Sequence, residues 1–127
     1  MHAVLAFAAL PLFLGALLSD WAYASSYEVQ WTNFASWLTA GGLVFAAVAL
    51  LWAAVDVLRS SATRRRAGAI YLLLLLASCV LGFISSLVHA KDAWAAMPTG
   101  MLLSAVVLLL AAVASLMGLA ALRRRTA

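Results

Sequence analysis

Charge is what this chain has least of: of 127 residues only 9% are charged, four are acidic, and 68% are hydrophobic. Soluble domains carry roughly 25% charged residues, so water is not the main solvent here. One cysteine, Cys79, excludes an intrachain disulfide and a paired thiolate site; in the middle of an apolar run it is expected to pack as a small apolar side chain. Two histidines, one cysteine and four scattered acids are too few for a zinc centre or a catalytic triad. There is no Gly-rich phosphate loop, long repeat or low-complexity tail. These absences exclude a soluble catalytic domain, and the chain is expected not to be an enzyme.

What is present is long charge-free sequence. Met1 to Ser19, Val29 to Val55, Ala67 to Ala90 and Ala93 to Leu122 contain no charged residue, and each is close to or above the ~20 residues a helix needs to cross the hydrocarbon core. Every backbone N–H and C=O must be paired inside a segment that lipid surrounds. Continuous Leu/Ala/Val runs without period-two alternation do not make a barrel. The expected fold is therefore all-α: one integral membrane domain over residues 1–127, a four-helix bundle with short loops and spans at about 3–19, 34–55, 67–88 and 98–122.

The net charge is +4, but the cations are clustered beside apolar runs, which is a topology signal and not one for nucleic acid. Arg59 and Arg64 to Arg66 follow the second span, Arg123 to Arg125 follow the fourth, and Lys91 alone lies elsewhere. By the positive-inside rule both clusters are cytoplasmic, giving an N-in/C-in protein of the bacterial inner membrane. The connections Asp20 to Asn33 and Ala90 to Met97 then lie outside, with Asp20, Glu28 and Asp92. A competing reading takes Ala22-Tyr23-Ala24 before Ser25 as a signal cleavage site; the missing basic leader and the nearby Asp20 favour a retained first span.

Pro11 interrupts one hydrogen bond in the first span and is expected to bend it. Thr32 or Asn33 is expected to cap the second span after a short interfacial helix, and Pro98 to open the fourth at its first turn. Arg59 to Arg66 is short enough for an antiparallel hairpin. Small residues four apart, Ser78/Gly82/Ser86, Gly42/Ala46 and Ala114/Gly118, offer seams for close helix approach and make self-association a second use for them.

The polar and aromatic side chains collect on the expected outer side: Asp20, Trp21, Tyr23, Tyr27, Glu28, Trp31, Asn33 and Trp37 from one connection, His89, Lys91, Asp92 and Trp94 from the other. Trp and Tyr belong at headgroup depth as an aromatic belt. A belt decorates both faces, whereas the inner side has only Trp52 and Tyr71, and the surplus points to a surface that meets a protein partner or a small ligand. The candidate partner-binding residues are Asp20, Trp21, Tyr27, Trp31, Asn33, Trp37, His89, Asp92 and Trp94. His89 is the one candidate for a cofactor, haem b or quinone, with Asp92 at i+3 placed to orient its ring. Ligation of one haem by His2 and His89 is excluded, because roughly 30 Å of hydrocarbon lies between them. Asp56, an acid within the second span, is a functional candidate by position, for which an ion pair with Arg59 at i+3 is the structural alternative.

Several stretches resemble the family of bacterial membrane proteins known as domain of unknown function 2231. They are His2 with Gly15-Ala16-Leu17-Leu18-Ser19-Asp20, Trp31-Thr32-Asn33-Phe34-Ala35-Ser36-Trp37-Leu38 leading into Gly41-Gly42-Leu43, and Leu51-Trp52 with Asp56. Val88-His89-Ala90-Lys91-Asp92-Ala93-Trp94 and Met97-Pro98-Thr99-Gly100 complete them, so the likeness covers most of the chain. Family members carry a second His followed by Phe-Pro in the first span; this chain has Phe7 near that place and its proline at Pro11. The resemblance implies a four-helix membrane fold without an assigned activity, and a redox neighbourhood of cytochrome c domains or quinoprotein sugar dehydrogenases. The expected function is a small non-catalytic accessory or anchor subunit whose periplasmic aromatic and polar face docks a larger, redox complex. The alternatives are a haem b or quinone-linked electron-transfer protein, and a proton-coupled transporter that uses Asp56 in an oligomer.

Overall fold

The computed structural model describes residues 2–91 and 93–126; of residues 62–64, 93–94 and 124–126 only the backbone is described. Four long helices carry the fold: α1 (His2–Ser26), α2 (Val29–Arg59), α3 (Ala62–His89) and α5 (Thr99–Thr126), with a single turn, α4 (Ala93–Ala96), between the last two. All four are long and apolar enough to cross a membrane. Helix α1 packs on α2 and α5, and α3 packs on the same two, so α1 and α3 are diagonal partners across the bundle axis.

The packing has the logic of a lipid-embedded bundle. Buried positions of α2, Thr32, Ala35, Thr39, Gly42, Ala46, Ala49 and Ala53, are spaced alternately three and four residues apart, and so are Tyr71, Leu75, Ser78, Gly82, Ser85 and His89 of α3. That spacing is the inward seam of a left-handed bundle. In water such a seam is filled by Leu and Ile; here it is mostly Ala, Gly, Ser and Thr, while Val44, Leu51, Leu73, Phe83, Leu102, Leu109 and Leu116 are all at least 60% exposed. Leaving so many large side chains in water would forgo about 1.5–3 kcal/mol each, whereas lipid tails solvate them and small inward residues let the backbones approach. The expected seams are used inside the bundle: Gly42, Ala46, Ser78, Gly82, Ala114 and Gly118 all face inward, while Ser86, the third member of the α3 seam, is half-buried and Ser85 takes the inward position. A Cβ on Gly42 would stand 2.5 Å from Cε1 of Phe13, so glycine is required where the largest core ring crosses the axis.

The ends of the elements differ from expectation. Helix α1 runs through Asp20 to Ser26, and the connection to α2 is only Tyr27 and Glu28. Tyr27 has φ 59°, and its N–H donates to the Tyr23 carbonyl at 2.7 Å, which is the left-handed cap that ends a helix; its ring meets Tyr23 edge-on at 6.2 Å. Thr32 and Asn33 do not cap α2, since Glu28 holds that position and Thr32 is buried inside the helix. Only Ser60 and Ser61 separate α2 from α3, and α5 begins at Thr99, one residue after Pro98. The reason is common to all: at 1.5 Å per residue the 31 residues of α2 reach roughly 46 Å, beyond the ~30 Å hydrocarbon core. Ala-rich ends continue the helical hydrogen bonding into the headgroup region, where sequence polarity alone suggests a loop. Helix α1 is continuous across Pro11.

Candidate functional site

The tryptophan-rich end of the bundle holds its ionisable groups inside. Asp20, on the last turns of α1, and His89, the last residue of α3, are both fully buried as side chains, with His89 Nε2 2.6 Å from Asp20 Oδ1. His89 Nδ1 lies 2.7 Å from the Ser85 carbonyl, which can only accept, so Nδ1 carries a hydrogen. One further proton lies between Nε2 and Oδ1. Ser104 of α5 donates to the other carboxylate oxygen, Oδ2, at 2.6 Å. Three helices are thereby tied at one point, and every polar atom of the pair has a partner, the condition under which a buried pair is tolerated.

The surrounding residues leave space for this. Gly100 of α5 lies under the imidazole, where a Cβ would come within 3.1 Å of Cε1. Three more hydroxyls toward this end, Thr32 Oγ1, Thr39 Oγ1 and Ser86 Oγ, are buried without a hydrogen-bond partner among the described residues. Ser85 Oγ is 3.4 Å from Nδ1, so aspartate, histidine and serine lie in sequence as in a hydrolase. The hydrogen on Nδ1 removes the lone pair a serine hydroxyl would need, and Ser85 has no exposed surface; the set is not a nucleophile. Both ring nitrogens of His89 are engaged, so Nε2 would have to leave Asp20 to reach a haem iron.

The carboxylate that meets His89 is Asp20; Asp92, the acid expected to orient the ring, lies outside the described residues. Asp20 and His89, grouped from sequence with an outward surface, are inside the bundle and offer no atoms to a partner. The aromatic members of that group do point outward: Trp21 is 66% exposed, Tyr27 63%, Trp31 40% and Trp37 79%. Asn33 and Glu28 are exposed beside them, and Trp31 packs on Phe34 with ring centroids 5.9 Å apart. The side chain of Trp94 is outside the described set.

At the arginine-rich end a second pair appears. His2 Nε2 is 3.2 Å from Asp56 Oδ2, and His2 Nδ1 is 3.2 Å from the Tyr71 hydroxyl, joining α1, α2 and α3. Asp56 therefore pairs with His2 across the bundle in place of Arg59 on its own helix. His2 to Tyr71 and Asp20 to His89 each span 69 residues, so the α1 and α3 diagonal keeps one register from end to end. Between the two pairs lie apolar layers built on Phe13, Ala46, Val107 and Ala111, and on Ala6, Ala49, Leu75 and Ala114. Cys79 packs against the first of these. Among the described residues no three His, Cys, Asp or Glu side chains gather as a metal site.

Sequence reasoning missed Ser104 and the role of Asp20. A serine within the Leu/Val run of the last span was a visible signal for the first; nothing local signals the second. Compared with known proteins, the chain matches the family model described as "Predicted membrane protein (DUF2231)" over residues 1–125. No curated protein and no solved structure matches it.

Proposed function

The chain belongs to the DUF2231 family of membrane proteins, and from that premise we propose that it is a small non-catalytic accessory subunit of a bacterial inner membrane, whose tryptophan-rich end docks a larger redox complex. The observation that carries this reading is the outward presentation of Trp21, Tyr27, Trp31 and Trp37 at one end of the bundle. Large aromatic side chains supply most of the binding energy at protein interfaces. Trp21 is mounted on α1, which the Asp20, His89 and Ser104 contacts tie to α3 and α5, and this lowers the cost of ordering that part of a docking surface. With both arginine clusters at the other end, the positive-inside rule puts this surface on the periplasmic side.

The test is recovery of a stoichiometric partner in mild detergent from cells carrying wild-type chain or a Trp31→Ala/Trp37→Ala variant. The reading expects one partner with the wild type and its loss from the variant at unchanged helical content. Recovery of the wild type alone, or equal recovery of the partner by both, contradicts it.

A second reading, quinone-linked electron transfer, is favoured by the buried Asp20 and His89 pair, which holds a shared proton close to the same end. A His89→Ala variant with unchanged quinol-dependent activity removes it, and an optical spectrum without a Soret band removes its haem version. Proton-coupled transport through Asp56 is the weakest reading, since apolar layers separate the two polar ends of the monomer. A homo-oligomer would need faces other than the small-residue seams, which are used within the bundle.

A further inference from the structure

On the outward side of α2 at the arginine-rich end lies a groove of about 350 Å³ lined by Val48, Leu51, Trp52, Val55, Asp56 and Arg59. These residues follow one stripe of the helix, and their chemistry changes along it. Val48, Leu51 and Val55 form an apolar floor, Trp52 stands 45% exposed beside it, and Asp56 and Arg59 close the stripe in the last two turns. Trp52 is also the one tryptophan at this end of the chain.

The order runs from acyl chain to interface to headgroup, the sequence of polarity in a phospholipid. Its polar terminus carries both signs of charge. Residues three apart on a helix are neighbours roughly 5–6 Å apart, and Arg59 at the α2 C-terminus presents a fork suited to a phosphate. Asp56 meets His2 through Oδ2 at 3.2 Å, and its side chain is 42% exposed, which leaves carboxylate surface open to a cation. A phosphodiester without a cation would set its charge against Asp56. A quaternary ammonium brings the charge but no N–H for the carboxylate.

We propose that this groove is a binding site for a zwitterionic phospholipid with a primary ammonium headgroup, of the ethanolamine class, the phosphate on Arg59 and the ammonium on Asp56. The site is at the opposite end from the docking surface and stands or falls independently of it.

The experiment uses the full chain in a neutral detergent and follows lipid retention by native mass spectrometry. Ethanolamine, choline and glycerol phospholipids with the same acyl chains are added in turn. One charge-assisted hydrogen bond corresponds to about a tenfold preference, and that preference for the ethanolamine lipid over both others is the expected result. It should fall to parity in Asp56→Asn, whereas Arg59→Gln, which removes the partner of the phosphate that all three share, should weaken retention of each lipid several-fold and leave their order unchanged. Because Asp56→Asn also disturbs His2, Arg59→Gln, an exposed residue at the helix end, tests the phosphate contact separately through the overall retention if the first variant is unstable. Equal binding of the three lipids, a preference for the glycerol lipid, an ethanolamine preference that survives Asp56→Asn, or retention unchanged in Arg59→Gln overturns the proposal.

Discussion

Removing one member of a buried pair strands the other in a medium with no water to receive it. Asp20→Ala is expected to cost about 3–5 kcal/mol, read as a lowered unfolding midpoint in detergent, and His89→Ala a comparable amount. The double variant should cost clearly less than the sum, with a coupling of about 1–3 kcal/mol; strict additivity would mean the two side chains do not meet. Ser104→Ala removes one hydrogen bond to the carboxylate and should cost about 1.5–3 kcal/mol. Ser104 stands out in sequence as a serine within a Leu/Val run, but the pairing of Asp20 with His89 was not legible there. Asp92 is the acid near His89 along the chain, and Arg59 the cation near Asp56, but the actual partners, Asp20 and His2, are set by the register of diagonal helices. Register depends on how Phe13, Gly42, Gly82 and Val107 interlock, which no local pattern states.

Among the elements, the helix ends and the close crossings are where single changes report most. Tyr27 occupies the left-handed position that ends α1, a conformation that costs a residue with a Cβ about 1–2 kcal/mol relative to glycine. Tyr27→Gly and Tyr27→Ala lose the same ring contact with Tyr23, so the glycine variant should be the more stable by about 1 kcal/mol, measured by the same unfolding midpoints. Gly42→Ala forces a methyl into the Phe13 ring and should cost about 1–3 kcal/mol; a smaller residue in Phe13→Leu should restore part of it. The four spans were legible because lipid tolerates only long uncharged helices, and the small-residue seams because close approach needs them. The ends were not: Asp20 to Ser26 and Val29 to Asn33 read as a polar loop, yet they are helix, since backbone groups near headgroups are best paired within the helix they extend.

As a whole, the molecule is a lipid-solvated bundle with a polar knot at each end, insulated by alanine-rich layers, and an aromatic collar at one end. The collar was legible as a concentration of tryptophan on one side, and the structure turns four of its aromatic side chains outward while drawing Asp20 and His89 in. What it docks is the central claim, and the direct measurement is site-specific photo-crosslinking in intact cells. The crosslinker is placed in turn at Trp31, Trp37, Leu73 and Leu109, all exposed positions. The account predicts one discrete protein adduct from Trp31 and Trp37 and none from Leu73 or Leu109, which face lipid. No adduct from the tryptophan positions, or the same adducts from all four, would contradict it.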